Sequence, residues 1–123
     1  MKKIIIPTLI LFFFVQTQAQ YKKRTPEEKA KYYTAQLSEQ VKLDSAQFEK
    51  IYAINIIVSQ KFDSLYKENL EDAPRKRAMV NIFKYRDAAY REVLSERQFL
   101  IFDDYQREQY EKRKKDKEAK TNE

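Results

Sequence analysis

The side chains that most often carry catalysis or bind metals are missing from this sequence. It contains no histidine and no cysteine, which removes the imidazole base, the thiol nucleophile and the usual zinc ligands. It also contains no glycine, so a glycine-rich phosphate-binding loop is excluded. Asp103 and Asp104 are adjacent, but neighbouring helical positions point about 100° apart. We therefore expect this pair to lie on a solvated surface and not to form a metal site. The sequence therefore predicts a protein that is not an enzyme and has no cofactor or metal.

One pattern with defined hydrogen-bonding chemistry occurs twice. In each copy the short polar side chain after a leucine can accept from the backbone N–H three residues later, and a glutamine can reach back to the N–H of that polar residue. The leucine is placed to pack against the first turn. Each copy is therefore a capping box that predicts the start of a helix. The boxes consist of Leu43, Asp44 and Gln47, and of Leu94, Ser95 and Gln98.

The first two predicted helices lie around the first box. One begins with Thr25 as its cap and Pro26 at its first position, and should stop near Gln40. The next begins at the Asp44 cap and should run to about Asn69. Together they form a helix-turn-helix half over residues 25–69.

The last two predicted helices form a second half over residues 72–110. Pro74 interrupts the pattern, so a turn should precede a third helix capped by Asp72 or Ala73. The fourth helix follows the Ser95 cap. The sequence thus predicts an all-α fold of four helices in two helix-turn-helix halves, which the repeated box suggests arose by internal duplication.

Apolar residues recur every three or four positions and predict one buried stripe in each helix. Asn55 and Arg86 interrupt these stripes. We expect Asn55 to be hydrogen-bonded at a helix crossing or a dimer seam, and Arg86 to extend its stem to solvent or form a buried ion pair. The predicted core residues are Ala30, Tyr33, Leu37, Val41, Phe48, Ile51, Val58, Phe62, Leu65, Tyr66, Met79, Ile82, Phe83, Tyr90, Val93, Phe99, Phe102 and Tyr105.

Residues 1–19 have the pattern of a secretory signal peptide. Lys2 and Lys3 precede an apolar run over residues 4–15, and a polar end closes on Ala19. The run is shorter than the about 20 residues that span a bilayer, so cleavage after Ala19 is favoured over an uncleaved anchor. Residues 20–110 would then form one small helical domain, and residues 111–123 a charged, fraying tail.

The second helix has apolar residues outside its predicted stripe. Ile54 and Ile57 lie nearly opposite the core direction on a helical wheel, and Lys50 and Lys61 share their face. One interpretation is that the two isoleucines are buried in a homodimer. The other is that this face is an exposed surface that contacts unfolded polypeptides.

A basic cluster opens the third helix. Arg75, Lys76 and Arg77 lie in its first turns, where the helix dipole favours anions instead. The cluster is either part of a solvated turn or a second part of the surface that contacts unfolded polypeptides or a protein partner.

The two boxes resemble the Leu-Thr-x-x-Gln signature of the Spy/CpxP family of small periplasmic helical proteins. The second copy differs by Ser95 in place of threonine, and the first by Asp44, which keeps the capping role. The resemblance covers most of the chain after residue 19, through motif order, spacing and helical content. It implies an elongated, curved protein that pairs into a cradle-shaped homodimer.

The same resemblance implies an ATP-independent periplasmic chaperone that holds unfolded envelope proteins on a basic and apolar surface. The alternative is a CpxP-like accessory that binds and restrains an envelope stress sensor kinase. Nucleic-acid binding is not expected, because the protein is exported and because removing Lys2 and Lys3 leaves 23 basic against 19 acidic residues.

Overall fold

The computed structural model describes residues 24–122 and shows an all-α protein. These residues form four helices and no strand, so the predicted fold class is confirmed. The proposed signal peptide, residues 1–19, lies outside the described residues. The helices are α1, Pro26–Val41; α2, Ser45–Lys67; α3, Asp72–Val93; and α4, Glu96–Thr121.

The local sequence explains both ends of α1. Thr25 Oγ1 accepts from the Glu28 backbone N–H at 3.2 Å. Pro26 lies in the first turn, where backbone N–H groups have no partner within the helix, so its missing N–H costs no hydrogen bond. The helix ends at Val41, one residue beyond the predicted position. Lys42 then turns the chain with a φ of 55°, in the left-handed region that glycine usually occupies. The turn into α2 is therefore made without a glycine.

Both α2 and α4 begin with complete capping boxes. In α2 the Gln47 N–H donates to Asp44 Oδ1 at 2.8 Å, and the Asp44 N–H donates to Gln47 Oε1 at 3.1 Å. In α4 the Gln98 N–H donates to Ser95 Oγ at 3.1 Å, and the Ser95 N–H donates to Gln98 Oε1 at 2.9 Å. Two backbone N–H groups at each helix start are satisfied by side chains close in sequence.

The two capping boxes also contact one another. Gln47 Nε2 donates to Gln98 Oε1 at 2.8 Å, and Gln98 Nε2 donates to Gln47 Oε1 at 3.2 Å. Each amide also bonds the backbone ahead of the other box, Gln47 to the Val93 carbonyl and Gln98 to the Lys42 carbonyl, both at 3.2 Å. Lys42 and Val93 each lie two positions before a cap, so the arrangement has local two-fold symmetry. We call these four residues the box junction.

The box junction gathers the ends of all four helices. The C-terminal ends of α1 and α3 meet the N-terminal ends of α2 and α4 there. Successive helices therefore run alternately towards the junction and away from it. Helix α1 packs on α2 and α4, and α2 also packs on α3, whereas α3 and α4 have the least contact. At the far end of the α1–α2 pair, Lys29 Nζ lies 2.7 Å from Asp63 Oδ1. The two helix-turn-helix halves are thus similar at the box junction, but α1 and α2 pack closely on one another whereas α3 and α4 do not.

Two clusters of buried apolar residues hold the helices together. The cluster beside the box junction includes both box leucines, Leu94 as a buried member and Leu43 at its edge. The other lies between α2 and α3 and consists of Val58, Leu65 and Ile82. The remaining buried members of the junction cluster are Leu37, Val41, Ile51, Tyr90, Phe99 and Phe102.

Four aromatic residues that the periodicity assigned to the core lie at the surface instead. They are Tyr33, Phe48, Tyr66 and Phe83. In α1 the buried position beside Tyr33 is Thr34, whose Oγ1 donates to the Ala30 carbonyl at 2.6 Å. Because that hydroxyl is satisfied within its own helix, a small polar residue can fill a close helix crossing.

The start of α3 differs from the prediction. Glu71 is the N-cap, so the assignment of this role to Asp72 or Ala73 is wrong. The Glu71 side chain makes no capping hydrogen bond, and Pro74 lies in the first turn, which tolerates its missing N–H. Asn69, with a φ of 52°, lies in the turn between α2 and α3. Asparagine tolerates this left-handed conformation better than most residues.

The end of α4 also differs from the prediction. The helix continues to Thr121, so the expected fraying of residues 111–123 is wrong for residues 111–121. Lysine, glutamate and arginine have good helix propensity, and the segment contains neither glycine nor proline. Helix α4 has 26 residues against 16 in α1, so at 1.5 Å per residue it is longer by about 15 Å. Its last turns are solvent-exposed.

Candidate functional site

A cleft of about 480 Å³ lies between the four helices, and every helix contributes to its lining. We call it the aromatic cleft. Its charged lining residues are Lys29, Arg86 and Arg113, and within the described part of the chain no aspartate or glutamate lines it. Its aromatic lining residues are Tyr33, Phe62, Tyr66, Phe83, Tyr90 and Phe102.

A buried polar network joins three helices at the floor of the cleft. Asn55 Nδ2 donates to Thr34 Oγ1 at 3.0 Å, and the Tyr90 hydroxyl donates to Asn55 Oδ1. The expectation of a hydrogen-bonded Asn55 at a helix crossing is confirmed within one chain. Burial raises the pKa of the Tyr90 hydroxyl to about 12, against a smaller opposing effect from the nearby Arg86 cation. Tyr90 is therefore a neutral hydrogen-bond donor at physiological pH.

Arg86 holds its guanidinium among aromatic rings in the wall of the cleft. Its Cζ lies 4.8 Å from the Phe83 ring centroid, 5.0 Å from that of Phe102 and 5.8 Å from that of Tyr90. The Nε and Nη2 atoms both donate to Asp87 Oδ1, at 3.1 and 2.9 Å. Of the two expectations for Arg86, an ion pair is the one present, and it is partly buried: the Arg86 side chain is 16% exposed and that of Asp87 is 39% exposed. The rings and the carboxylate together fix the position of this cation.

The rim of the cleft is more exposed and combines tyrosines with cations. Tyr33 is 52% exposed and Tyr66 is 57% exposed. Arg113, on the projecting part of α4, donates from Nε to the Gln109 carbonyl at 3.3 Å. Rings with exposed faces beside cations offer both apolar contact and charge to a ligand.

A second, shallower groove lies on the other side of the seam between α2 and α3. We call it the outer groove. It is lined by Ile57 and Lys61 from α2 and by Tyr85 from α3. Lys61 Nζ lies 4.8 Å from the Tyr85 ring centroid, and Ile57 is 40% exposed. This groove therefore also presents an apolar side chain beside a cation.

The predicted client surface is only partly assembled by the fold. Ile57 and Lys61 meet in the outer groove, and Lys50 is exposed on the same helix. Ile54 is half-buried and packs against both core clusters, so its assignment to an exposed face is wrong. The physical reason is that α2 packs against both α1 and α3, and a helix between two neighbours needs a wider apolar surface than one stripe.

The predicted basic cluster is split by its local contacts. Arg75 Nη2 donates to Asp72 Oδ1 at 2.5 Å within the first turn of α3, which offsets its unfavourable position near the helix N-terminus. Lys76 and Arg77 are exposed. None of the three lines either groove.

Sequence reasoning missed the aromatic cleft because it assigned most of the cleft residues to the core. One signal could have shown it. Phe62 and Tyr66 are four positions apart on α2, and Phe83, Arg86 and Tyr90 repeat at three and four positions on α3. A cation inside an aromatic stripe indicates a face that keeps access to solvent.

Neither a candidate metal site nor a membrane-spanning helix is found among residues 24–122. No group of three or more carboxylates there is placed to hold a metal ion. None of the four helices is long and apolar enough to cross a bilayer. The concave surfaces described above, the aromatic cleft and the outer groove, are formed by these same residues.

Comparison with protein-family models, curated proteins and solved structures finds no match to this chain. The resemblance to the Spy/CpxP family consequently rests on the two Leu-led boxes, their spacing and the helical content.

Proposed function

We propose that this protein is a periplasmic, ATP-independent chaperone of the Spy/CpxP type that holds partly unfolded polypeptides. The observation that supports this proposal best is the distribution of exposed apolar side chains on either side of the α2–α3 seam. Tyr33, Tyr66 and Phe83 are exposed in the aromatic cleft, and Ile57 and Tyr85 in the outer groove. Exposed apolar surface bordered by polar groups is typical of protein-binding sites.

The charge of these surfaces suits a binder that must also release its client. Lys61 borders the outer groove together with Glu68, and Arg113 lines the aromatic cleft beside Lys29, which is paired with Asp63. Cations near an apolar patch speed the encounter with acidic or mixed-charge segments, while dispersed apolar contacts keep each complex weak. Such binding needs no catalytic residue and no nucleotide.

An aggregation assay tests this proposal. Purified protein at stoichiometric dose should slow the aggregation of a client as it unfolds. The double variants Tyr66→Ser with Phe83→Ser, in the aromatic cleft, and Ile57→Ser with Tyr85→Ser, in the outer groove, should each weaken that protection. Ile54 is not a useful target, because it packs in the core.

The matched control is Leu100→Ser with Ile101→Ser, since both residues are exposed on α4 and line neither groove. It should protect the client as well as the unaltered protein does. The proposal fails if the unaltered protein gives no protection. It fails equally if the control loses as much protection as the groove variants.

The alternative function is that of an accessory that restrains an envelope stress sensor kinase. Deleting the gene would then raise the stress response without any stressor, whereas loss of a chaperone would do so only when proteins unfold.

We further propose that two copies pair, because the small core leaves large apolar side chains uncovered. Light scattering after size-exclusion chromatography measures this, and a monomeric mass would refute it.

A further inference from the structure

The charged residues that line the aromatic cleft differ in their balance of signs from those of the whole chain. It is lined by Lys29, Arg86 and Arg113 and, among the described residues, by no carboxylate. The whole sequence, by contrast, has 19 acidic against 25 basic residues, and the outer groove is lined by one cation and one carboxylate. Two of these cations also contact carboxylates outside the lining, Lys29 at 2.7 Å from Asp63 and Arg86 at 2.9 Å from Asp87, so among the described residues only the charge of Arg113 is not offset. A ligand in the cleft still meets three cations and no carboxylate on the lining itself, which favours an anionic group.

The apolar part of the cleft has the dimensions of a small-molecule site. Its volume of about 480 Å³ lies within the roughly 300 to 1,000 Å³ typical of ligand pockets. The Phe62 and Phe83 ring centroids are 5.3 Å apart, and Phe102 lies near Tyr90 on the floor with 5.1 Å between centroids. An alkyl chain or a small ring system fits this space, whereas a folded domain does not.

Arg86 is the group best placed to hold the charged end of such a ligand. Its stacked guanidinium uses Nε and Nη2 to bond Asp87, and among the described residues Nη1 has no hydrogen-bond partner. A carboxylate that reached Nη1 would form a charge-assisted hydrogen bond in a site largely screened from water. The ring contacts that hold the guanidinium also reduce the entropy lost when the bond forms.

We infer that the aromatic cleft binds a small amphipathic carboxylate, with the apolar body of the ligand against Phe62 and Phe83 and the carboxylate at Arg86. This goes beyond the chaperone proposal, because the occupant is a small molecule and no unfolded protein is required. Arg113 would attract the anion at the rim, whereas the charge of Lys29 is offset by Asp63 at 2.7 Å.

Isothermal titration calorimetry with three ligands of equal chain length tests the inference. Dodecanoate, dodecanol and dodecyltrimethylammonium share their apolar part and differ in charge. Dodecanoate, kept below its micelle concentration, should bind at one site per chain and about tenfold more tightly than dodecanol, the ratio expected for one charge-assisted hydrogen bond. The ammonium compound should bind more weakly still.

Arg86→Gln should abolish the preference for dodecanoate over dodecanol. The matched control is Arg91→Gln, because Arg91 also stacks on a ring, with Cζ 4.2 Å from the Phe99 centroid, but does not line the cleft. It should keep the preference. If Arg86→Gln does not fold, Arg113→Gln takes its place, since Arg113 is exposed and should reduce the preference without loss of structure.

Equal affinity for all three ligands would overturn the inference, as would an unsaturable titration or an equal loss of preference in the Arg91→Gln control. These experiments contain no client protein. A failed aggregation assay therefore leaves the inference intact, and a failed titration leaves the chaperone proposal intact.

Discussion

Gln47 and Gln98, 51 positions apart in sequence, exchange two side-chain hydrogen bonds, at 2.8 and 3.2 Å. Each glutamine also accepts from the backbone N–H of its own cap residue. Each of these two side chains therefore both caps the start of a helix and links the two halves of the protein. Helix starts and tertiary contacts are coupled at this point, so a substitution here should affect both.

Alanine substitutions of the two glutamines should not be additive. Gln98→Ala loses the bonds to Gln47, Val41 and Lys42 as well as the cap contact, and should destabilise the fold by about 2 to 3 kcal/mol. Gln47→Ala should cost about 1 to 2 kcal/mol. The double variant should lose about 0.5 to 1 kcal/mol less than the sum, because the mutual bonds are counted twice.

Urea unfolding followed by circular dichroism measures these differences. Gln36→Ala is the control, because within residues 24–122 the Gln36 side chain donates only to the exposed Tyr32 hydroxyl in its own helix. It should change stability by under about 0.5 kcal/mol. Strict additivity of the two junction substitutions would mean that the contact between the boxes contributes nothing.

Replacing Lys42 with glycine should stabilise the protein. Lys42 holds a φ of 55°, which for a residue with a Cβ costs about 1 kcal/mol, and glycine removes that strain. The expected gain is about 0.5 kcal/mol after the larger unfolded-state entropy of glycine is subtracted. Lys50→Gly, at an exposed position inside α2, should instead destabilise by about 1 kcal/mol. Thermal melts of the two variants that shift in the same direction would contradict this account.

Tyr90 should make the protein sensitive to alkali. Burial raises the pKa of its hydroxyl from 10.0 to about 12, so above pH 10 the folded protein holds a proton that the unfolded chain releases. The associated stability is fully present below pH 10 and is lost as the pH rises towards 12. That loss is on the order of 2 kcal/mol. Urea midpoints measured across this pH range should therefore fall.

Tyr90→Phe should flatten that decline. At neutral pH the same variant should be about 1 to 2 kcal/mol less stable than the unaltered protein, because Asn55 Oδ1 loses its donor. Tyr110→Phe is the control, since Tyr110 is 60% exposed, and it should keep the alkaline decline. An unchanged pH dependence in Tyr90→Phe would exclude Tyr90 as its source.

Truncation after Tyr110 should reduce helix content without reducing stability. Residues 111–121 are helical and exposed, so their removal should lower the far-ultraviolet circular dichroism signal per molecule. It should change the free energy of unfolding by less than about 0.5 kcal/mol, because no core contact is lost. If the helical signal per molecule stayed the same, the segment would be a disordered tail in solution.

The amino-acid sequence by itself determined how many helices form and where α1, α2 and α4 begin. A cap is a contact among residues within three positions of one another, so Thr25, Asp44 and Ser95 act the same way in any surrounding fold. The prediction failed at α3, whose N-cap Glu71 makes no side-chain hydrogen bond that a pattern could show. It also failed at the end of α4, where propensity without packing was enough to extend the helix.

Only the tertiary structure decided which side of each helix is covered. Ile54 is drawn into the core because α2 lies between α1 and α3, whereas Tyr66 and Phe83 stay exposed because the weak packing between α3 and α4 leaves a cleft. Periodicity gives the angle between two side chains on one helix but not the direction from which a second helix approaches. For the same reason, the repeated glutamines predicted two helix starts, and only the fold brought Gln47 and Gln98 into contact.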